Sequence, residues 1–244
     1  SASFYDKFQG GQYEGDEDRQ KWADKYAAHL AIVAPLESLQ KKAEGFTVAR
    51  RLAFIQCVGS RDFRFYPFCS GYCCMHSIKE AIIAHEHEPE TASVIFGMDI
   101  RAVGKGFEEY KIRGGNDSNV SYVRGRVAEI SAGPDDNPVV TFEDTRERKV
   151  KNQAFDLVVL ATACAPIKGM AALAETLGVA LDPYGFIKTS HLSPVDTETP
   201  GIFVCGCAES PMDVPESVAQ ASSAAERAAE VVFQPEMKEE KAVA

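Results

Sequence analysis

From residue 50 onward the chain alternates short apolar runs with helical stretches, and that alternation confines it to an α/β architecture. RLAFIQC (Arg51–Cys57) reads as a short buried strand. Cys73 to Glu86 reads as a helix with Met75, Ile78, Ile82 and Ile83 on one face, and SVIFGMD (Ser93–Asp99) as a second buried strand. A helix between two apolar runs is a βαβ unit, which requires a parallel sheet because the helix returns the chain to the edge where it started. The runs VSYVRGRVAEIS, PVVTFED and RKVKNQ are short, alternating and broken by Gly, Pro and Asp-Asp. They predict a small antiparallel meander. FDLVVLATA (Phe155–Ala163) returns to a buried strand. A helical stretch at Met170–Leu177 follows, then a strand GIFVCG (Gly201–Gly206), then a helix from about Pro215 to Val232. Its face of Val218, Ala221, Ala225, Ala228 and Val232 is rich in small residues, as expected of a helix lying close against a sheet.

Upstream of this pattern, residues 1–16 lack periodicity and read as an extended arm or a connection. Trp22, Tyr26, His29, Leu30 and Val33 recur at three- and four-residue spacing between Glu17 and Ala34, one amphipathic helical face that ends at Pro35. The expected divisions are 1–49 (arm and helical segment), 50–155, 156–234 and a charged, fraying tail over 235–244. A net charge of −10 disfavours a nucleic-acid partner. The apolar runs are too short to span a bilayer, so any membrane association would pass through a partner. Residues 1–25 are polar and acidic where a signal peptide would need an apolar stretch, so a cytoplasmic location is expected.

The strongest chemical signal is the cysteine pattern. Of seven cysteines, Cys57, Cys69, Cys73 and Cys74 fall in one stretch, QCVGSRDFRFYPFCSGYCCMHSIKEA. Cys57 closes a predicted strand, and Cys73 and Cys74 open a predicted helix. In an open α/β sheet, ligands sit outside the carboxyl ends of the strands. Four thiolates there suit a metal or an iron–sulfur cluster. Structural zinc normally uses cysteine pairs two to four residues apart, which this spacing fits poorly. The ferredoxin run is also absent. Spacing alone leaves an iron–sulfur cluster, a zinc site, four buried structural thiols and a redox dithiol all open, although no C-x-x-C supports the last.

FIQCVGSRD, FCSGYCCMHSIKEA, VIFGMDIRAVGKGFEEY, VSYVRGRVAEI, DLVVLATACAP and GIFVCGCAESPMDVPESVAQASSAAERAA resemble, in that order, the C-terminal portion of heterodisulfide reductase A subunits. They are equally similar to the A and B subunits of quinone-interacting membrane-bound oxidoreductase. The resemblance covers about residues 50–232. It implies a thioredoxin-reductase-like two-lobe flavoprotein fold, incomplete here: a nucleotide-binding-like lobe over 50–155 and the C-terminal half of an FAD-type domain over 156–234. It implies that Cys57, Cys69, Cys73 and Cys74 bind a [4Fe–4S] cluster, and that Gly206, Cys207 and Val218 line an FAD. The partners implied are iron–sulfur and flavin subunits of a redox complex, so the chain would belong to an oxidoreductase without being a complete enzyme.

The sequence departs from the family pattern in informative places. Ala163 replaces the Gly of the A-T-G turn, and Cys207 stands where an Asp commonly bonds the ribityl chain; a thiol cannot replace a carboxylate acceptor. The backbone near Val218 is the expected donor to the flavin. No G-x-G-x-x-G follows a strand: Gly104-Lys105-Gly106-Phe107 is incomplete, and Gly114-Gly115 reads as a turn. The chain is therefore expected to be a C-terminal fragment or half of a split subunit, holding FAD weakly or not at all. CVGSRD occupies the nicotinamide loop position, so a cluster in place of the pyridine nucleotide would turn a hydride-accepting lobe into a one-electron relay. Arg61 and Lys79 are candidates to balance cluster charge. His76, His85 and His87 read as surface, and Cys164 has no assigned role. The opposing reading is an assembly module that keeps the fold to dock partners while its cofactor sites are vestigial.

Overall fold

Strand β1 (Arg51–Val58) is apolar on both faces, and both faces are covered. The computed structural model describes residues 49–133 and 137–233; the tail expected over 235–244, and all but residue 49 of the arm and helical segment expected over 1–49, lie outside the described residues. β1 pairs in parallel with β2 (Ala92–Gly97) on one side and β7 (Leu157–Thr162) on the other. β3 (Val120–Arg124) pairs in parallel with β2, giving the order β3-β2-β1-β7. Helix α1 (Cys73–His87) carries the chain from β1 to β2, and α2 (Phe107–Asp117) from β2 to β3.

Side-chain alternation then builds two cores. Leu52, Phe54, Ile95 and Val120 point to the helical side and pack against Ile78, Ala81 and Ile82 of α1. Ala53, Ile55 and Phe96 point to the other side and meet Val140, Phe142 and Phe155. That second face is roofed by the antiparallel sheet β4 (Val127–Ala132), β5 (Pro138–Asp144) and β6 (Lys149–Ala154). Phe96 anchors the contact, 4.7 Å from Phe142 and edge-on to Phe155 at 5.8 Å between ring centroids.

The βαβ unit and the helix at Met170–Leu177 stand where the sequence puts them, the meander does so from Val127 on, and other readings need correction. VSYVR is not part of the meander; it joins the parallel sheet, and only β4, β5 and β6 are antiparallel. Gly114-Gly115 is no turn but lies inside α2, where Gly114 is buried because a Cβ there would meet the Tyr122 hydroxyl at 3.1 Å and Ile82 Cδ1 at 3.3 Å. Ile83 is 38% exposed, off the buried face of α1. β7 is an edge strand with Leu157 and Leu160 half exposed, not a buried one. Gly201–Gly206 forms no strand, because its backbone finds only an isolated bridge, Asp196 to Phe203.

After β7, helix α3 (Met170–Leu177) ends on Gly178 in the left-handed conformation. Its Met170 and Ala174 form a small core with Val179, Ile187 and Val204. Helix α4 (Val214–Val232) begins with Asp213, which accepts from the Glu216 amide while the Glu216 side chain accepts from the Asp213 amide. None of its residues is buried, and Val218 is 61% exposed. The expected close packing on a sheet does not occur; α4 rests against the short turn Gly206–Ala208. Among the described residues no helix is long and apolar enough to cross a membrane.

Candidate metal centre

The carboxyl end of β1 is locally distorted. The register against β7 shifts between Ile55 and Val58, and Cys57 takes φ 59°. A bulge re-aims a side chain, and a non-glycine residue in this region costs on the order of 1–3 kcal/mol, strain that tends to persist at functional sites. The loop that follows is tied to itself: the Arg61 amide donates to the Phe68 carbonyl at 2.9 Å and the Asp62 amide to Tyr66 at 3.0 Å. The Ser60 hydroxyl also donates to Phe68, at 3.0 Å. Phe68 stacks among Tyr66, Tyr184 and Phe186, which anchors Cys69 beside it. Gly71, at φ 77°, turns the chain into α1, whose first two residues are the buried Cys73 and Cys74.

Cys57, Cys73 and Cys74 each lie within reach of the charge of other thiols in the group. Burial raises the Cys57 thiol, and a negative Cys69 would raise it further. Cys73 is pushed up to about 11, first by burial and then by Cys74, Cys69 and Cys57. Cys74 is raised chiefly by burial, with Cys57 and Cys69 adding to it. The Gly71 amide donates to Cys69 at 3.4 Å, and the Arg61 charge favours the Cys57 thiolate. Arg61 is itself held by Asp99 at 2.5 and 3.2 Å. The spacing of the sequence offers no hint that Asp99, just after β2, braces the arginine beside Cys57. The Gln56 side chain was equally hidden: it is buried beside Cys57 with neither its oxygen nor its nitrogen hydrogen-bonded.

The second candidate constellation is differently placed. The Gly206 amide donates to Gln220 Oε1 at 2.8 Å, and the Cys207 thiol donates to the Met212 carbonyl at 3.7 Å. The Ser217 amide already bonds Asp213 O, so Val218 lies one residue inside the α4 ladder. The backbone donor expected at Val218 is therefore spent within the helix, and this position presents only an exposed apolar side chain.

Among curated proteins, the A subunit of H(2):CoB-CoM heterodisulfide,ferredoxin reductase from Methanothermobacter marburgensis is 37% identical over 89% of this chain. An iron–sulfur A subunit of CoB–CoM heterodisulfide reductase from Methanopyrus kandleri is 45% identical over 74% of it. The chain is homologous to part of the heterodisulfide reductase A subunit. It spans 35% of the length of the first relative and 28% of the second. No family model matches the chain. Thioredoxin reductase from T. acidophilum superposes with a TM-score of 0.51 and 18% identity, covering 75% of this chain and 52% of that one. The fold of this heterodisulfide reductase homologue is thus thioredoxin-reductase-like, present in part: a parallel sheet with a separate antiparallel sheet.

Two groups are implied by that kinship, and the residues present fit them unequally. Among the described residues no three His, Cys, Asp or Glu side chains gather closely enough for a single metal ion. Four thiolates around one zinc at about 2.3 Å would stand only about 3.8 Å apart. A four-iron cluster spreads its thiolates farther, since each binds a different iron. Four thiols near enough for three to act on Cys73, yet too spread for one metal ion, suit that wider donor set. The flavin positions fit poorly. The Gly206 amide, the Cys207 thiol and the Val218 amide are all committed within the chain, which leaves these three positions without a free donor for a flavin.

Proposed function

We propose that Cys57, Cys69, Cys73 and Cys74 hold a [4Fe–4S] cluster, and that the lobe over 50–155 relays electrons in a heterodisulfide-reductase-like complex. The relay would run between FAD and iron–sulfur partners in the cytoplasm. Such a cluster supplies one-electron transfer. What carries the reading is the convergence of the strained end of β1, the Cys69 loop and the buried start of α1, which brings Cys57, Cys69 and Cys74 close enough to Cys73 to act on its thiol.

The chain's residues have defined tasks in this reading. Burial keeps Cys57, Cys73 and Cys74 protonated at neutral pH, so loading them displaces protons and is favoured by raising pH. The Arg61 charge beside Cys57 and the Gly71 amide on Cys69 stabilise negative charge on sulfur, which raises a reduction potential. Arg61 is cross-braced by Asp99, fixing its distance from Cys57. The test is iron and acid-labile sulfide in chain purified without oxygen. About four of each per chain, and their loss in Cys73→Ser, are expected. Absence of both after anaerobic reconstitution overturns the reading.

A second reading, a docking module, has its own observation. Leu157, Leu160, Val218, Val231, Val232 and Phe233 are all exposed apolar residues in a homologue of a complex-forming protein. Such a module would bind partners while remaining colourless under the same anaerobic conditions.

A further inference from the structure

Gln56 stands on the helical face of β1, one step beyond Leu52 and Phe54, where the pattern of that face calls for an apolar side chain. It is 7% exposed, and among the described residues neither its carboxamide oxygen nor its nitrogen has a hydrogen-bond partner. An amide shut away from water like this gives up its hydration without compensation, which is why buried amides are normally paired. The neighbouring strand makes way for it. Ile55 pairs with Phe96, which sets Gln56 beside Gly97, and a Cβ on Gly97 would lie 3.3 and 3.4 Å from Gln56 Cβ and Cγ. The stem of Gln56 therefore fills the space that a side chain at 97 would take.

The helix above fixes what the carboxamide can meet. As the crossover of a βαβ unit, α1 runs back over this face antiparallel to β1, with Ile78 packed among Phe54 and Ile95. One turn before Ile78 on the same side is the buried Cys74, and one step after Phe54 on the same face is Gln56. Gln56 thus lies under the first turn of α1, next in sequence to Cys57. That turn has no side-chain cap and no acidic residue of its own to offset the positive end of the helix. An unspent amide donor beneath an uncompensated helix start favours negative charge at that place.

We propose that Gln56 is a positioning residue for the group held by Cys57, Cys69, Cys73 and Cys74, its Nε2–H donating to a sulfur of that group when the site is loaded. This rests on the cluster reading above. Negative charge on sulfur rises when a cluster gains an electron, so the bond is stronger in the reduced form and raises the reduction potential. The residue then has opposite consequences in the two states of the chain. Without the cluster its carboxamide is a cost that an apolar side chain of similar shape removes. With the cluster, the same replacement removes a donor.

The test compares the full chain with Gln56→Met, which keeps the length of the side chain and removes its donor. Both are reconstituted anaerobically and titrated spectroscopically. At a fixed applied potential the ratio of reduced to oxidised cluster should be about fivefold lower in the variant, the worth of one hydrogen bond. Free of metal, Gln56→Met should resist urea at least as well as wild type, whereas a residue that served packing alone would lose stability and leave the potential unchanged. In wild type made with glutamine carrying nitrogen-15 at the side-chain amide only, the reduced cluster should show a nitrogen-15 coupling in pulsed electron paramagnetic resonance. That measurement decides the matter even if the variant does not fold. No coupling, an unchanged potential in a fully loaded variant, or a metal-free variant clearly less stable than wild type overturns this inference and leaves the cluster standing. Wild type that takes up neither iron nor acid-labile sulfide overturns both.

Discussion

The region from Arg51 to Thr162 and the region after it carry comparable chemistry on very different supports. In the first, each interior strand has a neighbour on both sides and both faces of the sheet are dry, from Ile78 and Ile95 on one to Phe96 and Phe155 on the other. In the second, a small core around Met170 and Val204 holds turns together, and a helix of 19 residues buries none of them. The contrast teaches that a cysteine's meaning depends on what fixes its backbone. Cys57, Cys73 and Cys74 are attached to packed elements that cannot relax, whereas Gly206, Cys207 and Val218 sit on a surface held mainly by hydrogen bonds.

Phe96→Ala, at the centre of the roofed face, breaks that contrast most directly. It should destabilise the chain by about 3–5 kcal/mol in chemical denaturation, against under about 0.5 kcal/mol for Val218→Ala on α4. Similar losses for the two would mean that α4 is packed after all. Gly125→Ala drives a methyl group into the Glu143 carbonyl oxygen and should cost about 1–3 kcal/mol through a shifted meander. Arg61→Gln removes the positive charge beside Cys57. In the loaded chain it should lower the cluster midpoint potential by on the order of 50 mV in a spectroscopic redox titration. An unchanged potential would detach Arg61 from the centre. Asp213→Ala removes the reciprocal cap of α4 and should cost about 1 kcal/mol, seen as lost helical circular dichroism.

The smallest effect is electrostatic. Asp156 accepts from the Arg50 and Arg51 amides at 2.9 Å, fastening the start of β1 to the strand beside it. Although burial opposes ionisation, these bonds together with the Arg51 guanidinium hold its carboxyl below the ordinary value of 3.8. Its stabilising contribution is therefore present above that value and lost as pH falls through the depressed one. Acid titrations of wild type and Asp156→Asn should be fully separated above pH 3.8 and converge as pH falls through the depressed value below it.

The sequence made the βαβ unit legible because a strand buried on both faces must be apolar throughout, as in LAFI and VIF, and because α1 repeats apolar residues at helical spacing. It hid α2, since Gly114 and Gly115 read as a turn when their neighbours Tyr122 and Ile82 are distant in the chain. It misread VSYVR for the same reason: alternation shows that a segment pairs, not with which strand. The four cysteines were legible as a group, while the Asp99 brace on Arg61 and the unpartnered Gln56 became visible only once β1 and β2 were side by side.

By itself, then, the order of residues determined the strand–helix–strand register, the grouping of Cys57, Cys69, Cys73 and Cys74, and the family to which those motifs point. Packing decided the rest: that β7 rejoins β1 as an edge, that Phe96 lies under a second sheet, and that the Cys164 amide meets the Ser70 hydroxyl. Local patterns record how much of a segment is buried and with what period. Which distant segment buries it is a choice among competing surfaces, made by the whole chain at once.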